Sequence, residues 1–123
     1  MSVDNSASLY ADRIDRYLPD FIRTKVNTLV KWDLVHFFHK NPHTADTAEN
    51  IAAYTARDGS TVSDELADLS EAGVLQVTEV SERKIYALTE DEAMRELIHA
   101  FVMACDDRDF RMKAIRQITD IAH

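Results

Sequence analysis

The stretch that decides the fold is Ser60-Thr61-Val62-Ser63-Asp64-Glu65-Leu66-Ala67-Asp68-Leu69-Ser70-Glu71-Ala72-Gly73. The apolar residues Val62, Leu66 and Leu69 recur at helical spacing, so one narrow face of a predicted helix packs inward. Gly73 then ends this helix, because glycine adopts the left-handed conformation that commonly follows a last turn. The outward face consists of small, hydroxyl-bearing and acidic residues: Ser60, Thr61, Ser63, Asp64, Ala67 and Asp68.

A short β-hairpin is predicted directly after this helix, over residues 74–88. Its first β-rich run contains Val77 and Val80, and its second contains Tyr86. Residues 81–83 lie between the two runs and are predicted to form the tip of the hairpin. The central part of the chain is therefore expected to end in a helix followed by two strands.

Two amphipathic helices are predicted in the N-terminal third. An apolar stripe over residues 9–18 ends before Pro19, which cannot continue a helix because its ring clashes with the preceding turn. Pro19 and Asp20 suit the start of the second helix, since proline lacks an N–H that would be unpaired there and the acid faces the helix dipole. This second helix is expected to run to about Lys40, where Asn41-Pro42 ends it.

Capping residues mark the starts of three further helices. Asp46 lies three residues before Glu49, which predicts that Asp46 caps a short helix. Either Asp58 or Ser60 caps the next helix, and the sequence leaves both alternatives open. Thr89 is predicted to cap the C-terminal helical segment.

The composition suits one mostly helical domain. The chain has 123 residues and 46% hydrophobic content, which is enough for one core but too little for two substantial ones. Two glycines and two prolines favour long helices joined by short connections. We predict a single domain, 1–123, with an N-terminal helical extension at 1–25, a central unit at 26–88 and a C-terminal helix at 89–123 whose apolar stripe is interrupted at 106–109.

A single cysteine, Cys105, excludes an intrachain disulfide framework. Its neighbours Asp106 and Asp107 raise the pKa of a thiol, so Cys105 is predicted to pack in the C-terminal helix rather than react. The N-terminus lacks a secretory signal pattern, and no apolar run approaches the roughly 18 residues of a membrane span. The sequence therefore predicts a cytoplasmic protein without a membrane partner.

The net charge of −8 is concentrated in one segment. Between Thr44 and Glu82 there are nine acids and one base, Arg57, whereas the rest of the chain holds 13 acids and 13 bases. Such a surface discourages nonspecific attraction to polyanions, including nucleic acids and anionic membranes. A solvated acidic face that serves solubility alone is one interpretation.

Five short motifs follow one another through the central part of the chain. They are Leu34-Val35-His36-Phe37-Phe38, Asp46-Thr47-Ala48-Glu49-Asn50-Ile51-Ala52, Ser60-Thr61-Val62-Ser63 with Leu66 and Leu69, Glu71-Ala72-Gly73-Val74-Leu75, and Lys84-Ile85-Tyr86-Ala87-Leu88-Thr89. In this order, from about Val26 to Leu88, the chain resembles the winged helix-turn-helix of small bacterial transcription regulators, broadly the ArsR-like and MarR-like families. The resemblance implies a mostly α fold with a small β-hairpin, flanked by N- and C-terminal dimerisation helices.

In such families the second helix of the motif enters the major groove of DNA and the hairpin contacts the minor groove or the backbone. The resemblance therefore implies a homodimer that binds double-stranded DNA and regulates transcription. Carried over by position, the DNA- or partner-binding residues are Ser60, Thr61, Ser63, Asp64, Asp68, Arg83 and Lys84. The bases expected on the DNA-binding side are Lys31, Lys40, Arg57, Arg83 and Lys84.

The helix departs from the family pattern in its charge. Recognition helices of these families usually carry bases that neutralise phosphates, whereas this one carries four acids, which repel phosphate: Asp64, Glu65, Asp68 and Glu71. An acidic surface suits a basic partner through steering and charge-assisted hydrogen bonds. The alternative hypothesis is therefore a winged helix used as a protein–protein interaction module for a basic partner.

Three histidines are weak candidates for a metal site: His36, His39 and His43. Histidines without a nearby cysteine or paired carboxylate are more often surface residues, so neither a metal nor a cofactor is predicted. The sequence also shows no nucleophile beside a base and no glycine-rich phosphate loop, so no enzymatic activity is predicted.

Overall fold

A computed structural model describes residues 14–121 of the chain. Within this range it contains six helices of eight or more residues and three strands. In chain order these are α1 (Leu18–Lys25), α2 (Leu29–Lys40), β1 (Ala45–Asp46), α3 (Ala48–Thr55), α4 (Gly59–Glu71), β2 (Leu75–Val80), β3 (Arg83–Leu88), α5 (Glu92–Ala104) and α6 (Arg108–Ile121). The prediction of a mostly helical fold with a small β-hairpin is confirmed. The stripe at 9–18 lies largely outside the described residues.

The predicted helix from Pro19 to Lys40 is wrong as a single element, because it consists of α1 and α2. The chain leaves the helical conformation at Val26, and Thr28 begins α2 by accepting a hydrogen bond from a backbone N–H three residues later. Val26 is fully buried, so the apolar stripe continues across the break. The apolar periodicity of the sequence therefore does not indicate the break between α1 and α2.

Two predicted caps are wrong, and one open alternative is decided. Thr47 rather than Asp46 caps α3, and Asp91 rather than Thr89 caps α5. In both cases the predicted residue precedes the cap and accepts a hydrogen bond from the backbone of the capping residue. Asp46 accepts from the Thr47 N–H, and Thr89 Oγ1 accepts from the Asp91 N–H. Asp58 caps α4, so Ser60 does not.

The α4 helix ends as predicted. Gly73 has a φ of 82°, in the left-handed region, and the Val74 N–H donates to the Leu69 carbonyl. A Cβ at Gly73 would meet only the Met94 methyl group, at 3.9 Å, so glycine is favoured by backbone conformation rather than by space. The chain then enters β2 at Leu75.

The strands β2 and β3 form the predicted hairpin, with Val80 paired to Arg83 at its end. Arg83 therefore belongs to β3 and not to the tip, which consists of Ser81 and Glu82, both with positive φ. Consecutive positive φ values are typical of the two-residue turns whose twist matches a hairpin. The two-residue strand β1 pairs with β3 and completes an antiparallel sheet of order β1-β3-β2, which was not predicted.

One hydrophobic core joins the helices to the sheet. Phe101 of α5 lies at its centre, with ring centroids 5.6 Å from Phe21 of α1 and 5.0 Å from Trp32 of α2. The α4 residues predicted to face inward are fully buried: Val62, Leu66 and Leu69. The core therefore fixes α4 against the preceding helices and exposes its opposite face. No helix among residues 14–121 is long and apolar enough to cross a membrane.

The C-terminal segment forms two helices separated at residues 105–107, close to the predicted interruption. Cys105 is buried in this turn, as predicted, and belongs to the core. Burial, together with the charge of Asp106, raises the pKa of its thiol to about 11, although Arg111 acts in the opposite direction. The thiol is therefore protonated near neutral pH, which agrees with a packing role.

Candidate functional site

A groove of about 420 Å³ lies between the starts of α3 and α4 and the tip of the hairpin. We call it the α4–hairpin groove. Ser60 and Ser63 line it from α4, and Arg83 and Lys84 line it from β3. Four of the seven predicted binding residues are thus brought together, although 19 residues lie between Ser63 of α4 and Arg83 of β3 in the sequence.

The other three predicted residues do not line this groove. Thr61 is exposed beside it, Asp64 is exposed further along α4, and Asp68 is directed toward α2. The groove instead includes residues that the sequence did not single out, among them Thr47 and Tyr86. Thr47 could have been identified as the cap of α3, but the position of Tyr86 depends on strand pairing.

The charges in the groove are mixed. Arg83 and Lys84 stand on its hairpin side, together with Glu82, and Glu49 lies at the start of α3. All four side chains are exposed. Two cationic side chains therefore lie next to hydroxyl groups at a helix start, an arrangement that favours hydrogen-bonding and anionic groups of a ligand.

Asp58 holds the hydroxyl groups at the start of α4. Its Oδ2 accepts hydrogen bonds from Ser60 Oγ at 2.7 Å, from the Thr61 N–H at 3.1 Å and from Thr61 Oγ1 at 3.2 Å. These bonds, first the one from the Ser60 side chain, lower the pKa of Asp58 below its ordinary value of 3.8. Because both hydroxyl protons are directed to Asp58, Ser60 and Thr61 present acceptor lone pairs to a ligand.

Replacing Asp58 with alanine is expected to lower the thermal stability of the chain, because α4 loses its cap. The bonds favour the ionised carboxylate, so the stabilisation is present above pH 3.8 and is lost as the pH falls through the lower pKa of the folded state. The difference in Tm between Asp58→Ala and the wild type, followed by circular dichroism, should therefore shrink in acid. Asp64→Ala on the same helix is the control. A difference that stayed constant well below pH 3.8 would contradict this account.

Lys31 contacts two of the four acids on α4 and offsets one of their two negative charges. This buried α2 residue is 7% exposed, and its Nζ lies 3.5 Å from Glu65 Oε1 and 3.2 Å from Asp68 Oδ2. It also donates to Asn27 Oδ1 at 2.8 Å, while the Thr28 hydroxyl donates to Glu65. The Glu65 side chain is only 13% exposed, so it belongs to the contact between α2 and α4 rather than to the outward face.

The acidic surface of α4 is therefore smaller than the sequence indicates. Asp64 and Glu71 remain exposed, and neither forms an ion pair within residues 14–121. Two of the bases expected on the DNA-binding side are also engaged inside the fold, Lys31 with these acids and Arg57 with Asp33. Among residues 14–121, no ion pair involves the charged residues at the groove or beside it: Glu49, Asp64, Glu82, Arg83 and Lys84.

The candidate metal ligands are arranged differently from the sequence pattern. His39 Nε2 lies 3.0 Å from Nδ1 of His99, a residue of α5 outside the three candidates, and the two rings are stacked. Partial burial, followed by the proximity of His99 and His36, lowers the pKa of His39. His36 Nδ1 donates to the Trp32 carbonyl at 2.8 Å, and His43 is exposed in the turn after α2. Residues 14–121 contain no group of three or more potential ligands arranged for a metal ion.

The α4–hairpin groove is the candidate site that these observations support best. It brings hydroxyl acceptors from a helix start together with two basic side chains from a hairpin. No protein family, curated protein or solved structure matches the chain. Its function is therefore inferred from the chemistry and geometry of its own residues.

Proposed function

We propose that the chain is a winged helix-turn-helix transcription regulator that binds double-stranded DNA as a homodimer. In this proposal α4 is the recognition helix and the hairpin of β2 and β3 is the wing. The observation that carries it is the shared groove formed by Ser60 and Ser63 of α4 with Arg83 and Lys84 of β3. The basic residues contact phosphates, which position the protein, and the residues of α4 contact base edges.

The hydrogen bonds at the start of α4 give this proposal a specific chemical form. Because Ser60 and Thr61 donate to Asp58, their remaining lone pairs accept hydrogen bonds from a base edge. Asp64 is also an acceptor. The exposed amino groups of cytosine N4 and adenine N6 are the donors in the major groove, so this face favours base edges that carry them.

The pairing of Lys31 reduces the electrostatic cost of approaching DNA. A carboxylate about 8 Å from a phosphate costs on the order of 1 kcal/mol at an effective dielectric near 40, before salt screening. Four such acids would offset several favourable contacts. Since the single positive charge of Lys31 offsets one of the two negative charges of Glu65 and Asp68, the four acids oppose the approach with a net charge of −3 rather than −4.

The test is a binding assay with DNA fragments selected from a random library at low salt. Arg83→Ala and Lys84→Ala are each expected to weaken binding and to reduce the slope of log affinity against log salt by about 1, because one phosphate contact is lost. Lys113→Ala and Arg116→Ala, which remove exposed bases from α6, should leave the slope unchanged. Failure to select any fragment at about 50 mM salt would overturn the proposal.

The second candidate is the protein-interaction module for a basic partner. It is favoured by the exposed carboxylates of Asp64 and Glu71, which form no ion pair with other residues of 14–121, and by Glu49 and Glu82 at the groove. The variant Glu71→Gln discriminates between the two functions in the same assay format, because Glu71 is exposed on α4 and has no role in contacting base edges. It should strengthen binding of selected DNA, because it removes an acid that repels phosphate, and it should weaken binding of an arginine-rich peptide if α4 binds a basic partner.

A further inference from the structure

Among residues 14–121, the outer side of β2 is a long strand edge that no other strand covers. The sheet has the order β1-β3-β2, so β1 and β2 both lie at its edges. The edge at β1 is only two residues long, whereas β2 extends over six residues, Leu75–Val80. All residues from Gln76 to Val80 are exposed. We call the outer side of residues 76–80 the β2 edge.

The turn of the hairpin determines which backbone groups point toward the β2 edge. In an antiparallel ladder, hydrogen-bonded pairs alternate with non-hydrogen-bonded pairs, and a hydrogen-bonded pair closes a two-residue turn. The hydrogen-bonded pairs along this hairpin are therefore Val80–Arg83, Thr78–Ile85, Gln76–Ala87 and Val74–Thr89. The bond from the Thr89 N–H to the Val74 carbonyl, at 3.1 Å, agrees with this alternation. The N–H and C=O groups of Val77 and Glu79 consequently point away from β3.

The β2 edge lacks the features by which proteins usually prevent another strand from pairing. Its register with β3 continues one residue to one residue, so no β-bulge interrupts it. It contains no proline and one charged residue, Glu79, which is paired across the hairpin with Lys84. Val77 and Val80 are 45% and 55% exposed. A long, exposed edge with apolar side chains is a template for a further strand.

We propose that the β2 edge pairs with the β2 edge of a second copy of this chain, antiparallel about a two-fold axis at Thr78. The two sheets then form one continuous sheet. This contact uses neither the flanking helices nor the α4–hairpin groove, so it goes beyond the proposed function. It adds a second association step to any dimer formed by the flanking helices.

The residues of the β2 edge are complementary to themselves in this arrangement. Thr78 lies opposite Thr78 of the second copy, Val77 opposite Glu79, and Gln76 opposite Val80. The outward groups of Val77 and Glu79 bond to each other across the interface, which gives about four backbone hydrogen bonds. Two threonine hydroxyls can also bond to each other at the axis. A two-fold interface requires such self-complementarity, because both copies use the same surface.

The neighbouring registers are less favourable. An axis at Glu79 would place two carboxylates directly opposite each other, and like charges at such positions are destabilising. An axis at Val77 would require pairing with Leu75, which is only 3% exposed. The register centred on Thr78 uses exposed residues alone. A second copy therefore fits the β2 edge in a single defined register.

The first test compares two lysine variants by sedimentation equilibrium at micromolar to millimolar concentrations. Thr78→Lys is expected to weaken the association about fivefold, because it places two ammonium groups opposite each other at the axis. Gln76→Lys is the matched control. It adds the same charge to the same face of β2, but it lies opposite Val80 of the second copy and should leave the association near that of the wild type. Both residues are exposed, so both variants should keep the wild-type Tm.

The second test addresses the register by disulfide formation under mild oxidation. Thr78→Cys is expected to form a covalent dimer, because opposite Cα atoms of a non-hydrogen-bonded pair lie about 4.5 Å apart, within reach of a disulfide. Gln76→Cys should not, since the two copies of this residue lie about 13 Å apart along the strands. The native Cys105 is buried, and the wild-type chain measures its background.

Three results would contradict pairing of the β2 edges. If the mean mass of the wild type rises with concentration no more than that of Thr78→Lys, a second copy does not occupy the edge, which is then left to an extended segment of another protein. Equal weakening by Thr78→Lys and Gln76→Lys would place the contact elsewhere on the hairpin. Equal cross-linking of Thr78→Cys and Gln76→Cys would exclude the proposed register. None of these results bears on DNA binding, which the selection assay tests separately.

Discussion

Replacing Lys31 with methionine is expected to lower the free energy of unfolding by about 2–3 kcal/mol. The substitution keeps most of the side-chain volume but leaves Glu65 without its buried counter-charge. Removing one partner of a fully buried ion pair costs about 3–5 kcal/mol. We expect a smaller loss in the free energy of unfolding for two reasons. The Thr28 hydroxyl still donates to Glu65, and the Asp68 side chain is 55% exposed and regains solvation.

Urea unfolding followed by circular dichroism measures this effect, with Lys40→Met as the matched control. Lys40 is an exposed residue of the same helix, so its replacement should change the free energy of unfolding by less than about 0.5 kcal/mol. The double variant Lys31→Met with Glu65→Leu should recover most of the loss, because both charges are then absent from the α2–α4 contact. Equal stability of Lys31→Met and Lys40→Met would show that the ion pair does not fix α4.

Replacing Phe101 with alanine is expected to cost about 3–5 kcal/mol, the largest effect predicted for this chain. The Phe101 ring is fully buried and contacts aromatic rings from two other helices, Phe21 and Trp32. The loss includes the transfer free energy of the ring and a cavity that three helices border. At the entropy of unfolding typical of about 100 residues, this corresponds to a decrease in Tm of roughly 15–25 °C.

Calorimetry and urea unfolding of Phe101→Ala should agree on this loss. Met103→Ala provides the control two residues further along α5, where the side chain is exposed and the expected change is below about 0.5 kcal/mol. Phe101→Leu should lie between the two, since it retains part of the apolar volume. A loss below about 1 kcal/mol for Phe101→Ala would mean that the surrounding helices close the cavity.

Much of the local structure was predictable from residue types. Asn41-Pro42 ends α2 because the residue before a proline avoids the helical conformation, and Gly73 follows α4 because its φ is positive. The spacing of Val62, Leu66 and Leu69 identified the buried face of α4. The predicted caps at Asp46 and Thr89 missed by one and two residues, because neighbouring polar side chains compete for the same backbone N–H groups.

The site was predictable only in part. Ser60, Ser63, Arg83 and Lys84 were named from their positions in the motif order, and they do share one groove. Asp68 was placed with them because it lies on the outward face of α4 by periodicity. Its carboxylate instead contacts Lys31 of α2. A helical wheel shows the face of the helix on which a residue lies. It does not show whether a long side chain from another helix, such as that of Lys31, contacts the residue.

The sequence by itself determined most of the helical segments and the hairpin, the residues at which α2 and α4 stop, and the face of α4 that is buried. These properties depend on residues close together along the chain. The tertiary structure alone decided that Lys31 contacts two acids of α4, that β1 adds a third strand, and that His39 contacts His99, a residue 60 positions away. Charges and ring nitrogens interact over a few ångströms in space, and separation along the sequence does not set those distances.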